Sequence, residues 1–257
     1  MKLHIFGACS GTEPYPGTHH CSFALDRAGE LTWFDAGECC SHTAYTMGGV
    51  DITKTRRILL SHLHTDHIGG LANIFWVLRK VQGRYNAELY SDIDLYLPDV
   101  RFWDALLGMM QAAEGGFNPK FAIHPHPVQD GVLLDENGLK ITALHTHHLK
   151  HEEGTPWRAF GYLIECDGKR IVYSGDTGGV YDYEPLLPAD LLIMETGHHH
   201  PAEVARELLD KEIFPGKLTF LHHGRDLLDH RPEQVEALNR LCPGRYEILR
   251  DAQTLEL

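Results

Sequence analysis

The sequence predicts an α/β protein made of two sheets packed face to face with helices outside, as a single domain over residues 1–257. Three observations predict it. Short apolar runs bounded by glycine, proline and polar residues recur as strand signals. Runs of this kind give way to helical patterns in both halves. No internal repeat, low-complexity stretch or linker divides the chain.

The elements follow in order. Residues 3–6, 22–25 and 31–34 read as strands, and the intervening residues 7–20 read as a loop because Gly7, Gly11, Pro14, Pro16 and Gly17 break it. Residues 57–61 form a short apolar run of the buried-strand kind, 71–80 a helix, 95–97 a strand, and 100–113 a helix with one apolar face. In the second half, 139–144, 160–166, 169–173 and 190–194 read as strands. A hairpin signal lies at Cys166-Asp167-Gly168-Lys169. A helix over 202–212 starts just after Pro201, followed by a strand at 218–221, a helix at 232–241 and a strand at 246–249.

Composition narrows the function. Hydrophobic residues make up 43% and charged residues 23%, the balance of an ordinary globular protein, and no stretch is apolar enough to span a bilayer. Residues 1–7 run as a strand into a glycine turn and lack the apolar run of a signal peptide, so the expected location is the cytoplasm. The six cysteines form no C-x-x-C pair and read as reduced thiols, an arrangement that argues against structural zinc. The formal charge of −13, with only Lys54-Thr55-Arg56-Arg57 clustered on the basic side, weighs against a long polyanion as main substrate. The 19 histidines are the outlying number.

The strongest motif is Ser61-His62-Leu63-His64-Thr65-Asp66-His67-Ile68-Gly69-Gly70, between a strand and a helix. Three imidazoles and a carboxylate within six residues suit Zn²⁺ and neighbouring transition metals. Gly69 and Gly70 permit a sharp turn into the helix. Four further segments carry metal-type side chains at strand ends. They are Trp33-Phe34-Asp35-Ala36-Gly37-Glu38, Leu144-His145-Thr146-His147-His148, Ser174-Gly175-Asp176-Thr177-Gly178-Gly179 and Leu221-His222-His223-Gly224. Alternation places His145 and His147 on one face and His148 on the other, and does not choose among them.

The H-x-H-x-D-H run followed by these segments in this order resembles the metallo-β-lactamase superfamily. The resemblance covers nearly the whole chain and implies its fold, a four-layer αββα sandwich of two mixed sheets. It implies one metal held by His62, His64 and His148, a second by Asp66, His67 and His222, and Asp176 bridging them. Asp35 then orders the histidine loop from behind. Family spacing favours His148 over His147 and His151, and His222 over His223. Two divalent cations, Zn²⁺ first with Mn²⁺ or Fe also suited to this ligand set, would share a bridging hydroxide as nucleophile, with Asp66 orienting it.

Within the superfamily, Phe160-Gly161-Tyr162, Gly168-Lys169-Arg170 and Ser174-Gly175-Asp176-Thr177 resemble the phosphodiesterase branch. That branch includes ribonuclease Z and the phosphoribosyl cyclic phosphodiesterase of phosphonate metabolism. The run Met194-Glu195-Thr196-Gly197-His198-His199-His200-Pro201-Ala202-Glu203 is similar to its late histidine motif. The match sets His199, ahead of His198 and His200, to hold a phosphate oxygen or to protonate the leaving group. His19 and His20 read as loop residues or as lining of a pocket mouth, and the segment 148–157 as a cap over the site. The function implied is a binuclear metal-dependent phosphodiesterase acting on a small-molecule phosphodiester. A ribonuclease Z-like RNA endonuclease and a lactone or thioester hydrolase are the alternatives. No membrane association is expected, and relatives are commonly homodimers.

Overall fold

The computed structural model describes residues 1–113 and 116–257. The chain forms two compact units, one of Met1–Ala8, Pro14–Pro127 and Arg250–Leu257, the other of Cys9–Glu13 and Val128–Leu249.

The first unit is built on a seven-stranded sheet. Its strands are β1 (Lys2–Gly7), β2 (Ser22–Arg27), β3 (Glu30–Phe34), β4 (Thr55–Leu59), β5 (Asp92–Leu97), β6 (Ala122–Pro127) and the last strand of the chain, β14 (Gln253–Glu256). Their order is β14-β1-β2-β3-β4-β5-β6. Pairing is antiparallel from β14 to β3 and parallel from β3 to β6. The helices are α1 (Cys40–Thr46), α2 (Thr65–Ile68), α3 (Leu71–Tyr85) and α4 (Arg101–Ala112).

Helix α3 forms because Leu71, Ile74, Phe75, Leu78 and Val81 recur at helical spacing and are all buried. It ends at Asn86, which adopts the left-handed conformation that closes many helices (φ 49°). Its buried face packs with Phe6, Trp33, Ile58, Leu60, Leu95 and Trp103 into one apolar cluster.

The second unit carries the other seven-stranded sheet: β7 (Gly131–Glu136), β8 (Leu139–His145), β9 (Phe160–Cys166), β10 (Lys169–Tyr173), β11 (Leu191–Thr196), β12 (Lys217–His223) and β13 (Tyr246–Ile248). The order is β13-β12-β11-β10-β9-β8-β7, parallel from β13 to β10 and antiparallel from β10 to β7. Its helices are α5 (Val180–Tyr183), α6 (Pro201–Asp210), α7 (Arg225–Asp229) and α8 (Arg231–Leu241). Val172, Leu192, Met194, Leu208, Phe220 and Leu238 belong to its core.

The α/β class and the two mixed sheets are as the sequence predicts. Three strands lie outside the sequence reading. β6 has the sequence Ala-Ile-His-Pro-His-Pro, whose prolines read as breakers, but it is an edge strand and pairs on one side only. β7 is an edge strand of the other sheet and is largely exposed, so it lacks an apolar signature. β14 is four residues long and owes its existence to pairing with β1. Among the described residues, no helix is long and apolar enough to cross a membrane.

Candidate metal centre

In the first unit, the segment after β4 is held by one buried carboxylate. Asp35, at the end of β3, sits in the left-handed region (φ 56°) with no exposure. It accepts from the Ser61 backbone N–H at 2.7 Å, from Ser61 Oγ at 2.8 Å and from His67 Nδ1 at 2.9 Å. With Nδ1 so engaged, Nε2 of His67 is the nitrogen left to act as a ligand. It stands 3.3 Å from Asp66 Oδ2. His62 and His67 are fully buried, while His64 and Asp66 reach more solvent. The His62 ring lies 4.5 Å from that of His64 and 4.1 Å from that of His67, centroid to centroid. The end of the segment also packs closely against the residues that follow β3. A Cβ on Gly70 would sit 2.2 Å from the Gly37 carbonyl oxygen.

In the second unit, the donors arrive from separate strand ends. Asp176 follows β10, His148 follows β8, and His222 lies in β12. His148 Nε2 is 3.6 Å from Asp176 Oδ2, and His222 Nε2 is 3.5 Å from Asp176 Oδ1. The two carboxylate oxygens thus face two different imidazoles.

His222 is not the first residue beyond its strand, as the sequence reading has it. Across β11–β12 the register runs Glu195↔Leu221 and then Thr196↔His223, so His222 is the extra residue of a bulge, at φ 55°. A bulge re-aims a side chain out of the strand's alternation. Gly197 makes room for it, since a Cβ there would lie 2.6 Å from His222 Nδ1.

The neighbouring histidines are tied elsewhere. His223 is buried, with Nε2 donating to the Leu249 carbonyl at 2.8 Å and Nδ1 3.0 Å from Thr196 Oγ1; burial pushes its pKa down to about 4. His147 donates through Nδ1 to Asp182 at 2.5 Å. Asp182 also accepts from the His147 backbone at 2.9 Å, Gly178 N at 2.7 Å and Thr177 Oγ1 at 2.9 Å. Burial alone would raise the pKa of Asp182, but these hydrogen bonds hold it below the usual carboxylate range.

The histidine triplet after β11 divides in an unexpected way. His199 Nε2 donates to the Thr177 carbonyl at 2.9 Å. The ring beside the donors is that of His198, 4.8 Å from the His148 ring and 5.9 Å from the His222 ring, with Nδ1 3.8 Å from Asp176 Oδ2. His200 turns outward to Asp226 at 2.8 Å.

Behind His198 lies Glu195, fully buried, to which the sequence reading gave no role. Its Oε2 accepts from Gly197 N at 2.7 Å and His198 N at 2.9 Å, and its Oε1 is 3.1 Å from His198 Nδ1. Burial opposes its charge, yet the hydrogen bond from His198 and the His222 ring, whose Nδ1 is 3.7 Å away, hold its pKa down to about 2. Neither Glu195 nor Asp182 had a spacing signal of its own.

The second unit's donors fit a metal ion. Two ligands bound at 2.0–2.2 Å to one tetrahedral cation stand about 3.3 Å apart. Separations of 3.5 and 3.6 Å from two imidazoles to opposite oxygens of one carboxylate suit a carboxylate shared by two cations. Within the first unit, His62, His64, Asp66 and His67 offer the same donor types.

The profile of the beta-lactamase superfamily domain matches residues 43–246. Ribonuclease Z of Methanothermobacter thermautotrophicus is 28% identical over 150 residues, 58% of this chain and 45% of that protein. The chain spans about half the length of the curated relatives it matches. Among solved structures, the metallo-beta-lactamase fold protein YhfI from Bacillus subtilis has a TM-score of 0.74 at 18% identity, with 99% of each chain covered. A diphosphatase from the PhnP family has a TM-score of 0.65 at 19% identity, covering 100% of this chain and 97% of that one. With the superfamily profile spanning most of its length, the chain belongs to the metallo-β-lactamase superfamily.

Proposed function

We propose that the protein is a metal-dependent phosphodiesterase that hydrolyses a small phosphodiester with the help of two divalent cations. The observation that carries the reading is Asp176, whose two oxygens each face a different histidine at ligand spacing. His62, His64, Asp66, His67, His148, Asp176 and His222 form the proposed ligand set, with Zn²⁺ the cation best matched to imidazole and carboxylate. When bound, such cations supply Lewis acidity toward phosphoryl oxygens and make water acidic near neutral pH.

The chain's own residues supply the rest. Asp66, in the first turn of α2, orients the attacking water and accepts its proton. Asp35 fixes the ring of His67, and Glu195 fixes that of His198. The acid role that the sequence reading gives to His199 falls to His198. His199 spends its Nε2 on a carbonyl, whereas His198 keeps Nδ1 on Glu195 and has Nε2 to offer a leaving-group oxygen.

The named relatives favour a second reading, an RNA endonuclease of the ribonuclease Z kind. The formal charge of −13 favours the small substrate, since a polyanion would have to approach against it. A panel of bis(p-nitrophenyl) phosphate, a precursor tRNA, a lactone and a thioester, run on metal-analysed protein, separates these. Turnover of the first alone supports the proposal. Tenfold or greater preference for precursor tRNA, falling steeply with salt, would replace it with the nuclease. Activity confined to the lactone or thioester would reject both.

A further inference from the structure

The first unit gathers a second set of donors that the proposed hydrolysis does not use. His19, Glu38 and Cys39 each present one ligand atom, and the three atoms lie within 4.8 Å of one another. Sequence spacing argued against structural zinc because no cysteines pair. The fold reaches a mixed donor set instead, by bringing His19 and His20 against the segment that follows β3.

Glu38 is the fixed point. Its Oε2 accepts from the His20 backbone N–H at 2.9 Å and lies 2.5 Å from His20 Nδ1. Its other oxygen, Oε1, stands 3.5 Å from His19 Nδ1, long for a hydrogen bond and matching the separation of two ligands on one cation. The two segments are locked. The His19 backbone N–H donates to Asp251 at 2.6 Å, and a Cβ on Gly37 would meet the His20 carbonyl at 2.4 Å.

Cys39 and Cys40 differ sharply. The Cys40 thiol is buried, and burial pushes its pKa up to about 12, so it acts as a packing residue. Cys39 is exposed and shares the cluster.

We propose that His19, Glu38 and Cys39 form a separate site for a zinc-class divalent cation, which clips residues 14–20 to the segment carrying Asp35. One imidazole, one carboxylate and one thiolate make a donor set of zinc type, with a fourth position for water. On binding, the Cys39 Sγ–H proton passes to solvent and the sulfur becomes a thiolate ligand. This inference stands independently of the phosphodiesterase reading.

The test uses full-length, chelator-stripped protein titrated with Co²⁺. A cobalt–thiolate bond gives an intense near-ultraviolet charge-transfer band, and the seven-residue set contains no cysteine. The band should appear in the wild type, vanish in Cys39→Ser, weaken in His19→Ala and persist in Cys21→Ser, where the lost thiol lies beside Asp35 and His67. Zinc analysis should find one equivalent fewer in Cys39→Ser. A variant-free measurement keeps the idea exposed: Zn²⁺ should slow alkylation of Cys39, mapped by mass spectrometry. Absence of the band in the wild type, its survival in Cys39→Ser, its loss in Cys21→Ser, or alkylation of Cys39 at the same rate with and without Zn²⁺ overturns the proposal.

Discussion

The two units solve the same problem by different means. In each, the sheet changes from antiparallel to parallel at one strand, β3 in the first unit and β10 in the second. In each, an aspartate lies just beyond that strand, Asp35 or Asp176. There the likeness ends. Asp35 turns its oxygens to Ser61 and His67 and organises a single loop in which four donors fall within six residues. Asp176 turns its oxygens to His148 and His222, residues brought to it by β8 and β12. One aspartate holds the histidine loop by hydrogen bonds, and the other is read as a ligand itself. The difference teaches that position after a strand does not assign a role; the partners of the two oxygens do.

The comparison breaks most directly at Asp176. Asp176→Ala should remove bound metal and lower kcat/KM by on the order of a thousandfold or more, beyond the 10–100-fold typical of a supporting partner. Metal counting beside steady-state kinetics checks it. A variant that keeps both its metal and its rate would end the distinction between the two aspartates.

Asp35→Asn should fall in the supporting range, about 10–100-fold in metal affinity. It should also cost stability, on the order of 1–3 kcal/mol, because a buried acceptor of three hydrogen bonds is impaired. Competition with a chromophoric chelator and denaturant unfolding measure the two effects.

Glu195→Gln sharpens the comparison within the second unit. Glu195 plays toward His198 the part that Asp35 plays toward His67. The expected loss is about tenfold in kcat with KM nearly unchanged. The loss should be smaller for substrates whose leaving group needs no proton, which a series of aryl phosphodiesters would reveal. An equal loss across that series would remove His198 from the acid role.

The smallest effect concerns His223, which packs rather than binds. Its pKa is depressed to about 4 in the fold, from an ordinary value near 6.5. The unfolded chain therefore takes up the proton first as pH falls. The stability contributed by the neutral ring is present above about pH 6.5 and is lost as pH drops toward 4, up to about 3 kcal/mol in all. Thermal unfolding at pH 7 and pH 5 should show a smaller pH dependence in His223→Gln than in the wild type.

The histidine loop shows how much was legible in the sequence. Its donors are close in the chain, so their spacing predicts their proximity wherever the fold allows a turn, and Gly69-Gly70 announces the turn. The strands 3–6, 22–25, 31–34 and 160–166 were legible for a similar reason, since β1, β2, β3 and β9 are rich in apolar residues and almost continuously buried. The helix at 71–80 was legible through its period and extends to Tyr85. Edge strands β6 and β7 were not, because a strand paired on one side has no need of buried side chains on both faces.

In the second unit, the sequence by itself determined which residue types stand near strand ends. It could not say which of His147 and His148, or of His198 and His199, turns toward Asp176. That was decided by hydrogen bonds from residues remote in the chain: Asp182 engages His147, the Thr177 carbonyl engages His199, and Glu195 engages His198. The bulge at His222 was decided by the register of β12 against β11. The physical reason is common to all of them. Side-chain direction depends on local backbone geometry and on the nearest buried partner, and a one-residue change of register reverses it, whereas residue spacing records only which groups can be near one another.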